Sequence, residues 1–137
     1  MDTATLLQNI YQCFREKRLA DVVALLSDDF KYKAQLPDDL PGDGMRARSR
    51  AELALITHKS MQDFDVLALE PGPIVVADGL ARAEPTITLK HRKTGKILEM
   101  RFVHDWRVAD GKAQELEQRY DVEQLQAFIR SLDGETD

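Results

Sequence analysis

The sequence predicts an α+β fold, in which a cone-shaped, curved, mostly antiparallel sheet packs against three helices from the N-terminal half. Apolar residues recur every three or four positions at the front of the chain, and they alternate with polar residues in the second half. Short glycine-containing turns join the alternating segments. Long strands coil with their native twist, so a sheet of this kind has one concave face. Helices that cover this face leave a cone-shaped cavity.

The front of the chain predicts two helices and one short strand. Residues 4–16 and 19–26 both have the helical apolar period, and residues 30–35 alternate as a strand does. The first helix has an apolar stripe formed by Leu7, Ile10, Tyr11 and Phe14. Residues 36–48 contain prolines, glycines and aspartates and predict a long loop, of the kind that often forms a lid or a pocket rim.

A third helix and a four-stranded meander follow. Ser49 and Glu52 form a capping box that opens a helix reaching about residue 62. Strands are predicted at 64–77, 80–92, 97–108 and 112–120, with turns at 78–79, 94–95 and 110–111. Prolines at 71, 73 and 85 predict bends in the sheet. Asp121 caps a short C-terminal helix, and residues 133–137 form a loose tail of a single domain, 1–137.

Composition limits the function classes. The 137 residues are 43% hydrophobic and 31% charged, as in an ordinary globular protein. The net charge of −5 argues against a nucleic-acid partner, and no apolar run is long enough to span a membrane. A single cysteine, Cys13, excludes an internal disulfide and favours a cytoplasmic location. Three widely separated histidines predict no metal site, and the sequence contains no motif for a cofactor.

The strand at 97–108 contains the most informative residue of the sequence. Its even positions are Leu98, Met100, Phe102, His104, Trp106 and Val108. His104 is therefore the single ionisable group on an apolar face. An imidazole in this setting is either a hydrogen-bonded core residue or the working group of a hydrophobic pocket.

Three segments carry a resemblance to a known family. They are LADVVALLSDDFKY at 19–32, SRAELA at 49–54, and HDWRVADGK with ELEQRYD at 104–112 and 115–121. Together with the element order, they resemble the nuclear-transport-factor-2-like superfamily, and more narrowly its SnoaL-like and ketosteroid-isomerase-like branch. The resemblance implies a cone, a pocket for a small and mostly apolar organic molecule, and dimerisation across the outer sheet.

The isomerase residues of that branch carry over only in part. The resemblance places the isomerase's general base at Ala34, which cannot accept a proton, and its tyrosine near Ile10, with Tyr11 one residue away. It places the protonated aspartate at His104. Steroid isomerisation by that mechanism is therefore not expected.

Two functional hypotheses remain. The first is a cofactor-free isomerase, cyclase or dehydratase, an isomerase or lyase type of enzyme. In it His104 is the acid/base group, kept neutral by an apolar setting, and Tyr32 and Tyr120 orient the substrate. The second is a non-catalytic ligand-binding or dimeric association module. In either case, the residues predicted to bind the ligand are Ile10, Phe14, Phe30, Ala34, Ile56, Met100, Phe102, Trp106, Leu116 and Gln118.

The opposite face of the last two strands is charged. Its residues are Glu99, Arg101, Asp105, Arg107, Glu115, Glu117 and Arg119. Opposite charges on neighbouring strands are expected to pair. The face is either solvated or, as the resemblance implies, the interface of a homodimer.

Overall fold

The computed structural model describes residues 2–34 and 45–132. The helices are α1 (Thr3–Arg15), α2 (Leu19–Ala24), α3 (Arg50–Asp63) and α4 (Val122–Leu132). The strands are β1 (Leu26–Ala34), β2 (Met45–Ala47), β3 (Phe64–Glu70), β4 (Val75–Ala77), β5 (Leu80–Ala83), β6 (Thr86–His91), β7 (Ile97–Ala109) and β8 (Lys112–Tyr120). The end of the predicted first strand, most of the predicted loop and the predicted tail lie outside the described residues.

Side-chain caps begin three of the helices. The Asp2 carboxylate accepts a hydrogen bond from the Thr5 backbone N–H at 2.8 Å, and the Asp121 carboxylate accepts one from Gln124 at 3.1 Å. At α3, the Ser49 hydroxyl accepts from the Glu52 N–H at 3.2 Å. The Glu52 carboxylate reaches back to the N–H of Arg48 rather than to that of Ser49. The predicted caps of the third and last helices are confirmed.

The strands form one curved, mostly antiparallel sheet. Its order is β2-β1-β8-β7-β5-β4, with β6 paired to β7 and β3 paired to β6. In the described part of the chain, β1 and β8 are the pair that runs parallel. The α+β fold class and the mostly antiparallel sheet are confirmed.

Two tight turns have the geometry that their residues predict. Asp78 and Gly79 have φ values of 50° and 77°, and Asp110 and Gly111 have values of 54° and 71°. Positive φ at both central positions is the mark of a type I′ turn, which suits the right-handed twist of a hairpin. These turns place β5 after β4, and β8 after β7, as antiparallel neighbours.

Two of the predicted strands are each divided in two. The segment 64–77 forms β3 and β4, and the segment 80–92 forms β5 and β6. Prolines cause both breaks, because proline has no N–H to donate to a ladder. At the second break the Pro85 carbonyl accepts from the Phe102 N–H at 2.9 Å. There β7 changes its partner from β6 to β5, which confirms the predicted bend.

Two boundaries at the front of the chain differ from the prediction. The second helix ends at Ala24 rather than 26, because Leu26 already pairs with Ala113 of β8. Within the predicted loop, β2 pairs with the edge of β1, with Ala47 opposite Tyr32. This short strand forms by pairing with the edge of β1. Because that pairing joins separate segments of the sequence, the residues of β2 alone do not predict it.

The core lies between the concave face of the sheet and the first two helices. Leu6 and Leu7 of α1, Leu26 and Phe30 of β1, and Leu69 of β3 are fully buried. In contrast, α3 and α4 contain no fully buried residue. Among the described helices, none has the length and apolar character needed to cross a membrane.

Candidate functional site

The β7 strand alternates between a buried and an exposed face as predicted. Leu98, Met100, Phe102, His104 and Trp106 are buried, and each is followed by a more exposed residue. His104 is 5% exposed and is the buried histidine of the described core. The ring therefore faces the interior of the cone.

The sheet and the helices enclose a cavity of about 340 Å³. The described residues that line it include no Asp, Glu, Lys or Arg. All thirteen predicted site residues line it: Ile10, Phe14, Phe30, Tyr32, Ala34, Ile56, Met100, Phe102, His104, Trp106, Leu116, Gln118 and Tyr120. Their contact with a ligand stays a prediction.

Five side chains form a continuous series of hydrogen bonds along this cavity. The Trp106 indole N–H donates to the Tyr11 hydroxyl at 2.9 Å, and that hydroxyl lies 2.7 Å from Nδ1 of His104. Nε2 of His104 lies 2.8 Å from Oε1 of Gln118. The Gln118 amide nitrogen donates to the Tyr32 hydroxyl at 3.1 Å. We call these five residues the cavity hydrogen-bond chain.

Strand register brings together most residues of the cavity hydrogen-bond chain. His104 of β7 lies directly opposite Gln118 of β8, so their side chains leave the same face of the sheet. Gln118 is in turn the partner of Ala34 in β1, two residues from Tyr32. Tyr11 comes from α1, which packs over this face. Helix docking therefore completes a cluster that the sheet begins.

Burial sets the protonation of these groups. Burial lowers the pKa of His104 to about 4, against the opposing effects of the Gln118 hydrogen bond and the Asp105 charge. Burial raises the pKa of Tyr11, with a smaller opposing effect from Trp106. The pKa of Tyr32 is also raised, by burial and then by Tyr120. At neutral pH, the imidazole is therefore uncharged and both phenols keep their protons.

The order of donors and acceptors assigns the proton positions. An indole N–H only donates, so the Tyr11 oxygen accepts from Trp106. The Tyr11 proton then finds its acceptor at Nδ1 of His104, which places the ring proton on Nε2, where Gln118 accepts it. The Gln118 amide nitrogen donates to the Tyr32 oxygen. The described residues offer no acceptor for the remaining proton, that of the Tyr32 hydroxyl.

Tyr11 is the site residue that the sequence reading missed. The resemblance placed the isomerase's tyrosine near Ile10, one residue from Tyr11, and Tyr11 is the residue that bonds to His104. Both residues are buried and line the cavity. The sequence contained one signal for this role: the Tyr11 hydroxyl is a polar group within the apolar stripe of the first helix. Ala34 does line the cavity, so no carboxylate occupies that position.

The third helix forms a looser wall of the cavity. Ile56 and Thr57 line it and are half-buried, while Ser60 lines it and is exposed. This edge of α3 therefore lies where the cavity opens to solvent. Tyr120 lines the cavity and packs edge-on to Phe102, with 5.7 Å between the ring centres.

No metal cluster of His, Cys, Asp or Glu is found within residues 2–34 and 45–132. His91 lies 2.9 Å from the Thr94 hydroxyl in a surface turn, and His58 is exposed on α3.

The outer face of the sheet carries paired charges. Asp105 accepts hydrogen bonds at 2.7 Å from both Arg82 and Arg119, and Arg107 lies 3.4 Å from Glu115. The hydrogen bond from Arg82 is the main reason that the pKa of Asp105 is lowered. The expected pairing of opposite charges on neighbouring strands is confirmed for these residues.

Comparisons with known proteins identify the fold. A profile of the SnoaL-like domain matches residues 7–116. An NTF2-like protein of unknown function from Burkholderia pseudomallei superposes with a TM-score of 0.77 at 19% identity, covering 92% of this chain and 95% of that chain. A proposed isomerase from Bacillus subtilis gives a TM-score of 0.79 at 12% identity, covering 97% and 93%.

An LEH-like epoxide hydrolase from Mycobacterium tuberculosis gives a TM-score of 0.71 at 14% identity, covering 95% of this chain and 94% of that chain. A search by sequence among curated proteins found no match. At these identities, the structural likeness shows the fold alone.

Proposed function

This chain belongs to the SnoaL-like domain family, and we propose that its cone binds a small, neutral, largely apolar organic molecule. The supporting observation is the cavity of about 340 Å³, whose described lining contains no charged side chain. A ligand with a net charge would lose its hydration there without gaining a partner of opposite charge. An apolar molecule gains by leaving water.

The polar end of the cavity supplies an anchor. Tyr32 and Gln118 lie among apolar neighbours such as Phe102 and Leu116. A few polar groups in an apolar pocket typically fix the orientation of a ligand. In this proposal, the ligand's oxygen lies next to Tyr32, and its hydrocarbon part contacts the helices.

A thermal-shift series with cycloheptanone tests ligand binding. A ligand that binds the folded state alone raises its stability by about 2.7 kcal/mol at 100 times its dissociation constant. The Ala34→Phe variant fills part of the cavity and is expected to lose this stabilisation. Ala24→Phe places the same ring on an exposed position of α2 and is the matched control.

Binding would be contradicted if the ketone left the melting temperature of the wild type unchanged over its soluble range. Equal stabilisation of wild type and Ala34→Phe would place the ligand elsewhere. Circular dichroism of both variants checks that they are folded.

Cofactor-free proton transfer by His104 is the second candidate, and the neutral imidazole in a dry cavity favours it. Both ring nitrogens already have partners, Tyr11 and Gln118. Because Nε2 carries the proton that Gln118 accepts, a ligand would reach the basic Nδ1 by replacing the Tyr11 hydroxyl. This need to displace a partner makes binding the better-supported function.

Hydrogen exchange at the α-carbons of cycloheptanone in D₂O tests the catalytic candidate. A proton-transfer enzyme would accelerate exchange, followed by NMR, and His104→Gln would abolish the acceleration. Exchange at the uncatalysed rate, with binding intact, would assign the protein to the non-catalytic class.

We also propose a homodimer formed through the outer sheet face. Lys31 and Lys33 of β1 lie beside Glu115 and Glu117 of β8 in register. Two copies related by a two-fold axis could place the basic strand of one over the acidic strand of the other. Leu80 is 51% exposed next to Arg107 on this face and adds apolar area.

Light scattering after size exclusion measures the dimer directly. Reversing both charges in Glu115→Lys and Glu117→Lys is expected to weaken the dimer at least about tenfold through like-charge contacts. Lys93→Glu reverses a charge in a turn outside this face and is the control. A strict monomer at micromolar concentration would remove the proposal.

A further inference from the structure

We propose that the cone selects ligands whose oxygen accepts a hydrogen bond and carries no proton of its own, namely a carbonyl, ether or epoxide oxygen. This inference rests on the proposed binding function and adds the chemical class of the ligand. Tyr32 is the residue that makes the selection, as the donor to that oxygen.

The direction of the cavity hydrogen-bond chain carries the inference. It begins at Trp106, whose N–H can only donate. Each following group accepts from one neighbour and donates to the next, through Tyr11, His104 and Gln118. The last hydroxyl, on Tyr32, accepts from Gln118 and so presents its proton to the cavity. A buried donor without a partner is unfavourable.

A ketone and an alcohol of the same carbon skeleton differ in the hydrogen bonds that they need beside Tyr32. The ketone oxygen satisfies the Tyr32 proton and requires nothing further. The alcohol oxygen can also accept from Tyr32, but its own proton then needs a second acceptor. The single lone pair of Nδ1 of His104 is already used within the chain, and Oε1 of Gln118, which accepts from Nε2, would have to accept a second hydrogen bond. A buried O–H without an acceptor loses its hydration uncompensated, which disfavours the alcohol.

Three probes of one skeleton test the selection: cycloheptanone, cycloheptanol and cycloheptane. The sequence has a single tryptophan, so the indole N–H signal of Trp106 in a ¹H–¹⁵N spectrum reports on the cavity during each titration. For the wild type, we expect the ketone to bind at least about tenfold more tightly than the alcohol.

The Tyr32→Phe variant removes the donor and keeps the ring. We expect it to bind the ketone and the alcohol with affinities within about threefold of each other. Its affinity for cycloheptane, which has no oxygen, should stay within about twofold of the wild type, which shows that the cavity is intact.

Equal binding of ketone and alcohol by the wild type, or a ketone preference that persists in Tyr32→Phe, would overturn the selection while leaving binding intact. Failure of all three probes to bind would instead overturn the proposed function, and this inference with it.

Ring ¹⁵N shifts of His104 test the direction of the chain without any ligand. A neutral ring protonated at Nε2 is expected at neutral pH. A ring protonated at Nδ1 would reverse the donor order at Tyr11 and overturn the inference.

Discussion

The two faces of β7 place adjacent residues in opposite electrostatic settings. His104 points into the cone and is 5% exposed, while Asp105 points out from the sheet towards Arg82 and Arg119. The pKa of both is lowered, but burial is the main cause for His104 and an arginine hydrogen bond is the main cause for Asp105. The inner face therefore keeps its titratable group neutral, and the outer face keeps its group charged.

The difference shows which face of β7 contributes more to the stability of the folded protein. A buried neutral group depends on packing and on the completeness of its hydrogen bonds. An exposed ion pair is screened by water and salt, so it contributes little. Substitutions on the inner face should consequently cost much more stability than substitutions on the outer face.

The largest contrast is expected between Phe102 and Arg101. Phe102→Ala removes a buried ring and should lower the free energy of unfolding by about 3–5 kcal/mol. Arg101→Ala truncates a side chain that is 71% exposed and should change it by no more than about 0.5 kcal/mol. Urea unfolding of both variants measures the contrast, and equal costs would contradict it.

The pH dependence of stability should separate His104 from Asp105. The folded pKa of His104 lies below the ordinary histidine value of 6.5, so the unfolded chain binds this proton first as the pH falls. Stability due to the neutral ring is present above pH 6.5 and is lost as the pH falls towards 4, to the extent of about 3 kcal/mol.

Unfolding of wild type and His104→Gln, measured from pH 7 to pH 4, isolates this loss. The variant should lose less stability over that window, because it has no imidazole to protonate. Asp105→Asn is the contrasting variant, since the pKa of Asp105 is lowered from the ordinary value of 3.8 and its effect on stability begins only near that pH. Parallel curves for wild type and His104→Gln would show that burial does not depress the pKa of the ring.

Removing the Tyr11 hydroxyl should have an intermediate effect. Tyr11→Phe leaves the Trp106 N–H and Nδ1 of His104 without their partner, and the expected cost is about 1–3 kcal/mol. Trp106 fluorescence should change with the loss of its acceptor. Gln8→Ala, an exposed change on the same helix, is the control. A cost no greater than that of the control would mean that water or another group replaces the hydroxyl.

The smallest effect is expected at the outer ion pairs. Asp105→Asn should cost less than about 1 kcal/mol, because the side chains of its partners Arg82 and Arg119 are 58% and 43% exposed. Unfolding at low and high salt measures the difference in free energy of unfolding between wild type and variant. This difference should shrink at high salt, because salt screens the charges. A cost above about 2 kcal/mol would place the network among the strong interactions of the protein.

Much of this arrangement could be predicted from local pattern. The period of two in residues 97–108 assigned His104 and Asp105 to opposite faces, because successive strand side chains point in opposite directions. The Asp-Gly pairs at 78–79 and 110–111 predicted their turns, since few residues tolerate positive φ. Ser49 and Asp121 marked helix starts by their capping chemistry.

The errors have one shared cause. Pairing of β2 with β1 and the early start of β1 at Leu26 both depend on strands distant in sequence. The Tyr11–His104 hydrogen bond joins residues 93 positions apart. Local periodicity shows which side of an element is apolar, but it does not determine which distant residue meets it.

Periodicity, turn chemistry and composition are enough to predict the fold class, the inward position of His104 and the apolar character of its surroundings. They do not predict that both ring nitrogens have partners, or that the series of donors ends at the Tyr32 hydroxyl. Hydrogen bonds require distances within a few tenths of an ångström, and such distances exist only after α1 docks on the sheet.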